Sequence, residues 1–172
     1  MKPTSAWTIV RAAALAASLF VPTAVAADPS VTEIRIAKGA HTLSLMSHER
    51  TLATYRVAIG PGGAGPKRMQ GDKVTPVGRY HVSGRIKGLF HQFLVVSYPN
   101  ADDVKRFAAA KRAGEIPSGR GIGNGIGIHG GGHGAADDKD SDWTLGCVAL
   151  DDDEIDAVAR KVPDGTPIVI TD

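Results

Sequence analysis

"GIHGGGHGAADDKDSDWTLGCVALDDDE", residues 127–154, holds the chain's single cysteine, Cys147, with His129 and His133 upstream and the acids Asp151 to Glu154 close behind. A thiol attacks as thiolate. A nucleophilic cysteine therefore needs an imidazole within reach, some exposure, and main-chain N–H groups to receive the oxyanion of a tetrahedral intermediate. Gly146 lets the backbone come close to a reacting carbonyl, and a helix starting near Asp151 favours negative charge at its N-terminus, partly offset by three aspartates. Taken singly, a cysteine is more often a small buried hydrophobe and a histidine at a strand end a hydrogen-bonded core residue. Their occurrence together favours catalysis, with Cys147 as nucleophile and His129 as base.

Two other chemistries fit the same residues less well. Gly125, Gly127 and Gly130 match G-x-G-x-x-G, but that motif needs a helix to begin at its end, and "GGGHGAADDKD" is a poor helix. His129, His133 and Cys147, with Asp137, Asp138 and Asp140 nearby, are ligand types for zinc. A H-x-x-x-H pair faces one side only on a helix, however, and the glycines at 130, 131, 132 and 134 oppose a helix there. No metal and no cofactor are expected.

Outward from this stretch the chain reads mainly as strands. "VTEIRIAK", "HTLSLM" and "TLATYRVAIG" alternate apolar and polar residues from Val31 to Gly60, and "GRYHVSGRI" and "HQFLVVSYP" read the same way. Residues 60–78, "GPGGAGPKRMQGDKVTPVG", are too rich in Gly and Pro for a regular element; a loop of that length in a compact domain tends to be functional. Its Lys67, Arg68 and Lys73 suit either an anionic ligand or plain solvation. "NADDVKRFAAAKRAG" predicts a helix capped by Asn100 and stopped by Gly114, and "LDDDEIDAVARKV" a helix opened by Asp151 and Glu154. The glycine-rich residues 119–134, with Ile122, Ile126 and Ile128, predict a strand held tight against another backbone, and "TPIVITD" a closing strand. The fold class is mainly β with two or more helices, without internal repeats.

At the N-terminus, Lys2 and Arg11 precede an apolar run from Ala12 to Val21 that ends in Pro22 and "TAVAAD". This predicts a secretory signal peptide over 1–26, cleaved after Ala26 or Ala27, too short to span a membrane and without a cysteine for a lipid anchor. The expected mature domain is 27–172, secreted and periplasmic, with no membrane anchor after cleavage. Losing Lys2 and Arg11 from 20 basic residues against 18 acidic ones brings the formal charge from +2 to zero. The remaining Lys and Arg are scattered among few aromatics, so no nucleic-acid partner is expected. An exported protein meets an oxidising compartment, where structural cysteines come in pairs; a single one points away from a disulfide framework.

"IHGGGHGAADDKDSDWTLGCVAL" resembles the signature of the L,D-transpeptidase catalytic domain (the YkuD domain): a histidine, a spacer, then Ser or Thr, any residue, Gly, Cys. Here fourteen residues separate His129 from Thr144, Leu145, Gly146 and Cys147. "GDKVTPVGRYHV", "VVSYPNADD" and "GTPIVI" are similar to further segments of that family. The resemblance implies a β-sandwich-like fold and a cysteine enzyme that forms an acyl-enzyme with a tetrapeptide stem of peptidoglycan and transfers it to an amine. With water as acceptor the same site implies a carboxypeptidase or hydrolase, including release of a cell-wall-attached lipoprotein. Carried over by position, Cys147 is the nucleophile and His129 the general base and acid. Thr144 and Gly146 shape the turn, and the amides of Gly146 and Cys147 are the oxyanion donors. His133 falls in the variable spacer, as a substrate contact or a solvent-exposed loop residue; Asp142 and Trp143 are either groove wall or packing. The sequence departs from the family in one place: Ala149 stands where many members carry an arginine, which leaves the acceptor open.

Overall fold

A computed structural model of the protein describes residues 30–131 and 141–172. The predicted signal peptide and His133 lie outside the described residues. Eight strands and two helices follow in chain order: β1 Glu33–Ala37, β2 Thr42–Ser47, β3 Arg50–Arg56, β4 Gly78–Lys87, β5 Gln92–Val96, α1 Ala101–Arg112, β6 Gly127–His129, β7 Val148–Ala149, α2 Asp152–Lys161 and β8 Pro167–Thr171.

Alternation sets which face of each strand is buried. Ile34 and Ile36 of β1, Leu43 and Leu45 of β2, and Ile168 and Ile170 of β8 are all sealed from solvent, while the residues between them face outward or lie half-covered. Each such side chain contributes about 1.5–3 kcal/mol by leaving water. The helices are closed at their N-termini as the sequence predicts. Asn100 Oδ1 accepts from the amides of Asp102 and Asp103, both at 2.9 Å, and Asp103 returns a bond from the Asn100 amide, also at 2.9 Å. At α2 the Asp151 amide donates to Glu154 at 3.2 Å, and Ile155 and Val158 turn inward to pack α2 over β5 and β6.

The strands form one ladder in the order β3-β2-β1-β8-β4-β5-β6-β7. The β1–β8 and β6–β7 pairs are parallel and the rest antiparallel. Beyond β3, Ala58 exchanges two main-chain hydrogen bonds with Ala149 of β7, at 3.1 and 2.8 Å. The sheet thus curls around the core until its two ends touch at a single bridge. The architecture is mostly β with two helices, as expected. Its strands form an open curled sheet rather than the two stacked layers of a sandwich, because β8 bonds to β1 on one side and β4 on the other and leaves no break in the ladder.

The glycine-rich stretch gives a shorter strand than the sequence predicts. Only Gly127–His129 pairs; Gly119, Gly123 and Gly125 take positive φ and keep the preceding residues irregular. The close approach is real: a Cβ on Gly131 would lie 2.9 Å from the Phe90 backbone, and one on Gly127 2.1 Å from the Phe93 ring. The loop expected over 60–78 contains no helix or strand before Gly78 opens β4.

Candidate active site

Cys147 ends a turn built by Thr144. The Thr144 amide donates to Ile59 O at 3.2 Å; Thr144 Oγ1 donates to Cys147 O at 2.8 Å and accepts from the Gly146 amide at 3.1 Å. Thr144 is 2% exposed, so these bonds form away from water and fix the turn. Gly146 has φ +123°, and a Cβ there would meet Val74 O at 2.8 Å; only glycine fits. The Gly146 amide, one of the two anticipated oxyanion donors, is bonded to Thr144 Oγ1, so the proposal below uses the Cys147 amide.

Residues on one strand face alternate, and β6 pairs with β7 as Ile128 with Val148 and His129 with Ala149. Cys147 immediately precedes β7, so this pairing brings its turn beside the end of β6 that carries His129. The sulfur is half-buried and donates to Gly125 O at 3.6 Å. Burial pushes its pKa above the ordinary 9.0, against the smaller opposing pull of the Gly127 N–H and the Lys67 charge. The resting form near neutral pH is the thiol.

His129 is 2% exposed and enclosed by rings. Phe90 stacks at 4.7 Å between centroids, Phe93 at 5.6 Å and nearly parallel, and Trp143 stands edge-on at 5.9 Å. Burial lowers the imidazole pKa below 6.5, although the Gly130 carbonyl at 2.6 Å from Nδ1 works the other way. A carbonyl can only accept, so Nδ1 carries the hydrogen and Nε2 keeps its lone pair. The imidazole is neutral and oriented as a base. The two side chains are not hydrogen-bonded to each other, but both line one groove of about 820 Å³.

The groove has two unlike walls. One is apolar: Ile86, Leu89 and Phe90 come from the hairpin joining β4 and β5, and Leu145, 74% exposed, faces them from the cysteine turn. The other carries Lys73 and Arg120 on two loops. The 60–78 loop is ordered by Asp72. Its Oδ1 accepts from Lys67 Nζ at 2.5 Å and the Val74 amide at 3.0 Å, and its Oδ2 from the amides of Arg68 and Met69 at 2.7 and 3.0 Å. Burial alone would raise the Asp72 pKa; these donors outweigh it and bring it down.

The structure separates residues that the sequence left level. Trp143 is groove wall, and its Nε1 is buried with no partner among the described residues. Asp142 is packing: Oδ1 accepts from the Ile59 amide at 3.2 Å and from His41 Nε2 at 3.0 Å, tying the cysteine turn to the sheet. Of the three basic loop residues, Lys67 is buried on Asp72, Arg68 pairs with Glu115, and Lys73 faces the groove. Ala149 is 2% exposed, and its main chain forms the bridge to Ala58. Sequence reasoning missed Phe90, Phe93, Asp72 and Arg120, which lie far from Cys147 along the chain. Among the described residues no three of His, Cys, Asp and Glu cluster as a metal site; His133 and Asp137, Asp138 and Asp140 lie outside them. No helix among the described residues is long and apolar enough to cross a membrane.

The sequence model of the L,D-transpeptidase catalytic domain, YkuD, matches residues 32–170. The chain belongs to this family. Its fold is shared by solved L,D-transpeptidases and their relatives at low identity. Pgp2, the helical cell shape determining protein of Campylobacter jejuni, is 22% identical with a TM-score of 0.59 over 83% of this chain and 48% of that one. An L,D-transpeptidase of Xylanimonas cellulosilytica (residues 123–326) is 13% identical, TM-score 0.53, over 84% and 62%. L,D-transpeptidase 3 of Mycobacterium tuberculosis, solved with a faropenem-derived adduct, is 12% identical, TM-score 0.56, over 84% and 61%. The chain thus spans about half the length of Pgp2 and under two thirds of the other two. No curated protein sequence matches it.

Proposed function

We propose that this L,D-transpeptidase-family chain is an exported cysteine acyltransferase acting on tetrapeptide stems of peptidoglycan, with Cys147 as nucleophile and His129 as general base and acid. One observation carries the reading: the chain's single thiol lines the same open groove as a neutral imidazole whose Nδ1 proton is fixed on Gly130 O. Because the sulfur rests as a thiol and the imidazole is uncharged, the pair works by proton transfer during attack rather than as a preformed ion pair.

The thiol hydrogen, donated at rest to Gly125 O, moves from sulfur to His129 Nε2 as sulfur attacks the carbonyl of the third stem residue. The Cys147 amide receives the developing oxyanion. Collapse breaks the peptide bond, and the imidazolium returns its proton to the amine of the departing D-Ala, leaving a thioester on Cys147. An acceptor amine then attacks, His129 takes its proton, and the thiol is restored. The signal peptide expected over residues 1–26 supports action outside the cytoplasm, and wall remodelling with an effect on cell shape, the property named for Pgp2, is the cellular role we propose.

A second reading gives the thioester to water, making the enzyme an L,D-carboxypeptidase or a hydrolase of peptidoglycan or peptidoglycan–lipoprotein linkages. Ala149 favours it: the position carries no charge to steady an acceptor's carboxylate. Incubation with a purified disaccharide-tetrapeptide separates the two. Cross-linked dimer supports transfer, disaccharide-tripeptide supports hydrolysis, and neither product, with D-Ala retained, rejects both.

A further inference from the structure

The groove's charge is one-sided. Among the described residues lining it there are three cations, Lys67, Lys73 and Arg120, and no carboxylate. Lys67 is neutralised by Asp72. The side chains of Lys73 and Arg120 make no ion pair or hydrogen bond among the described residues, and both are exposed.

Their placement is built. The Gln70 amide donates to Gly121 O at 2.8 Å, joining the 60–78 loop to the loop that carries Arg120. Arg120 Nη1 lies 3.3 Å from the position a Cβ on Gly71 would take, so the guanidinium lies close over the 60–78 loop at that glycine. The Arg120 amide is held by Pro117 O at 3.2 Å. Lys73 sits at φ +56°, an uncommon backbone for a lysine, fixed from one side by the Asp72 clasp and from the other by its carbonyl's bond to the Gly62 amide at 3.1 Å. An exposed guanidinium without a partner, carried on a loop whose backbone is held and beside a second cation, matches a planar carboxylate.

We propose that Arg120, assisted by Lys73, binds a free carboxylate of the acyl donor and makes the groove selective for stem peptides whose carboxyl groups are not amidated. This rests on the stem-peptide reading above. Arg120 is a binding residue and takes no part in bond making or breaking.

The test compares release of D-Ala from a disaccharide-tetrapeptide with free carboxyls and from its amidated form, by the wild type, Arg120→Gln, Arg120→Lys and Lys73→Gln. On the free donor Arg120→Gln raises KM roughly tenfold with kcat nearly unchanged, the loss expected for one charge-assisted pair. Arg120→Lys restores part of it, and Lys73→Gln has the smaller effect. On the amidated donor the wild-type KM is already raised, and Arg120→Gln adds nothing. An unchanged KM on the free donor, or the same rise on the amidated one, overturns the inference while leaving the stem-peptide reading intact. If the wild type releases D-Ala from neither donor, the stem-peptide reading fails and this inference with it.

Discussion

The floor and the charged wall of the groove are held by opposite means. On the floor, Thr144 and His129 are each 2% exposed, the bonds run to backbone oxygens and amides, and neither reacting group carries a charge near neutral pH. On the wall, charge is kept: Asp72 gathers one ammonium and three amides, and Lys73 and Arg120 stand in solvent beyond it. Desolvation that would be costly for a standing ion pair is harmless to a neutral thiol and imidazole, and it strengthens whatever charge appears during reaction. On the proposed function, the difference separates chemistry, performed where neither group is charged, from recognition, left to exposed cations.

The largest effect that this contrast predicts is at His129. Replacement by Gln removes the base while filling much of the space between Phe90 and Phe93, and single-turnover acylation should slow by about 10²–10⁴-fold. In the wild type the acid limb of that rate should fall below pH 6.5, since burial holds His129 neutral to lower pH. Folding stability should follow the same signs. The unfolded chain takes up the His129 proton first as pH falls below 6.5, and it loses the Cys147 proton first as pH rises above 9.0. Both groups therefore destabilise the fold outside that window, which thermal melts across pH would reveal. An acylation limb centred above 6.5 would break the description of a neutral floor.

Next comes the clasp. Asp72→Asn leaves the Lys67 ammonium, 3% exposed, without its counterion, and should cost about 3 kcal/mol in denaturant unfolding, with a rise in KM as the wall shifts. The smallest effect belongs to the exposed edge of the same loop. Arg68 and Glu115 pair at 2.5 Å, but both side chains are 56% exposed, so Arg68→Ala should change stability by less than about 1 kcal/mol and leave turnover as it was. Equal costs for the two substitutions would show that the loop is not organised around Asp72.

The sequence revealed most of what depends on neighbours. Alternation located the longer strands, and Asn100 with Asp103 and Asp151 with Glu154 marked both helix starts, because those signals act within a few residues. β7 was invisible: two residues, Val148 and Ala149, are a strand only because β6 and Ala58 flank them. Spacing drew attention to Cys147 and His129, but it gave no hint of the rings around the imidazole, since Phe90 and Phe93 arrive through pairing of β5 with β6. Asp72 went unnoticed for a similar reason: its partners are mostly main-chain amides, which every residue type offers. Arg120 reaches the groove only because Gln70 and Gly121 join two loops far apart along the chain.

The account stands on a covalent bond at one sulfur. Intact-mass measurement of the wild type with a disaccharide-tetrapeptide, followed by peptide mapping, should show a disaccharide-tripeptide acyl group on Cys147, absent from Cys147→Ala, which should also release no D-Ala. Continued release of D-Ala by Cys147→Ala, or turnover by the wild type with the acyl group on another residue, would contradict it.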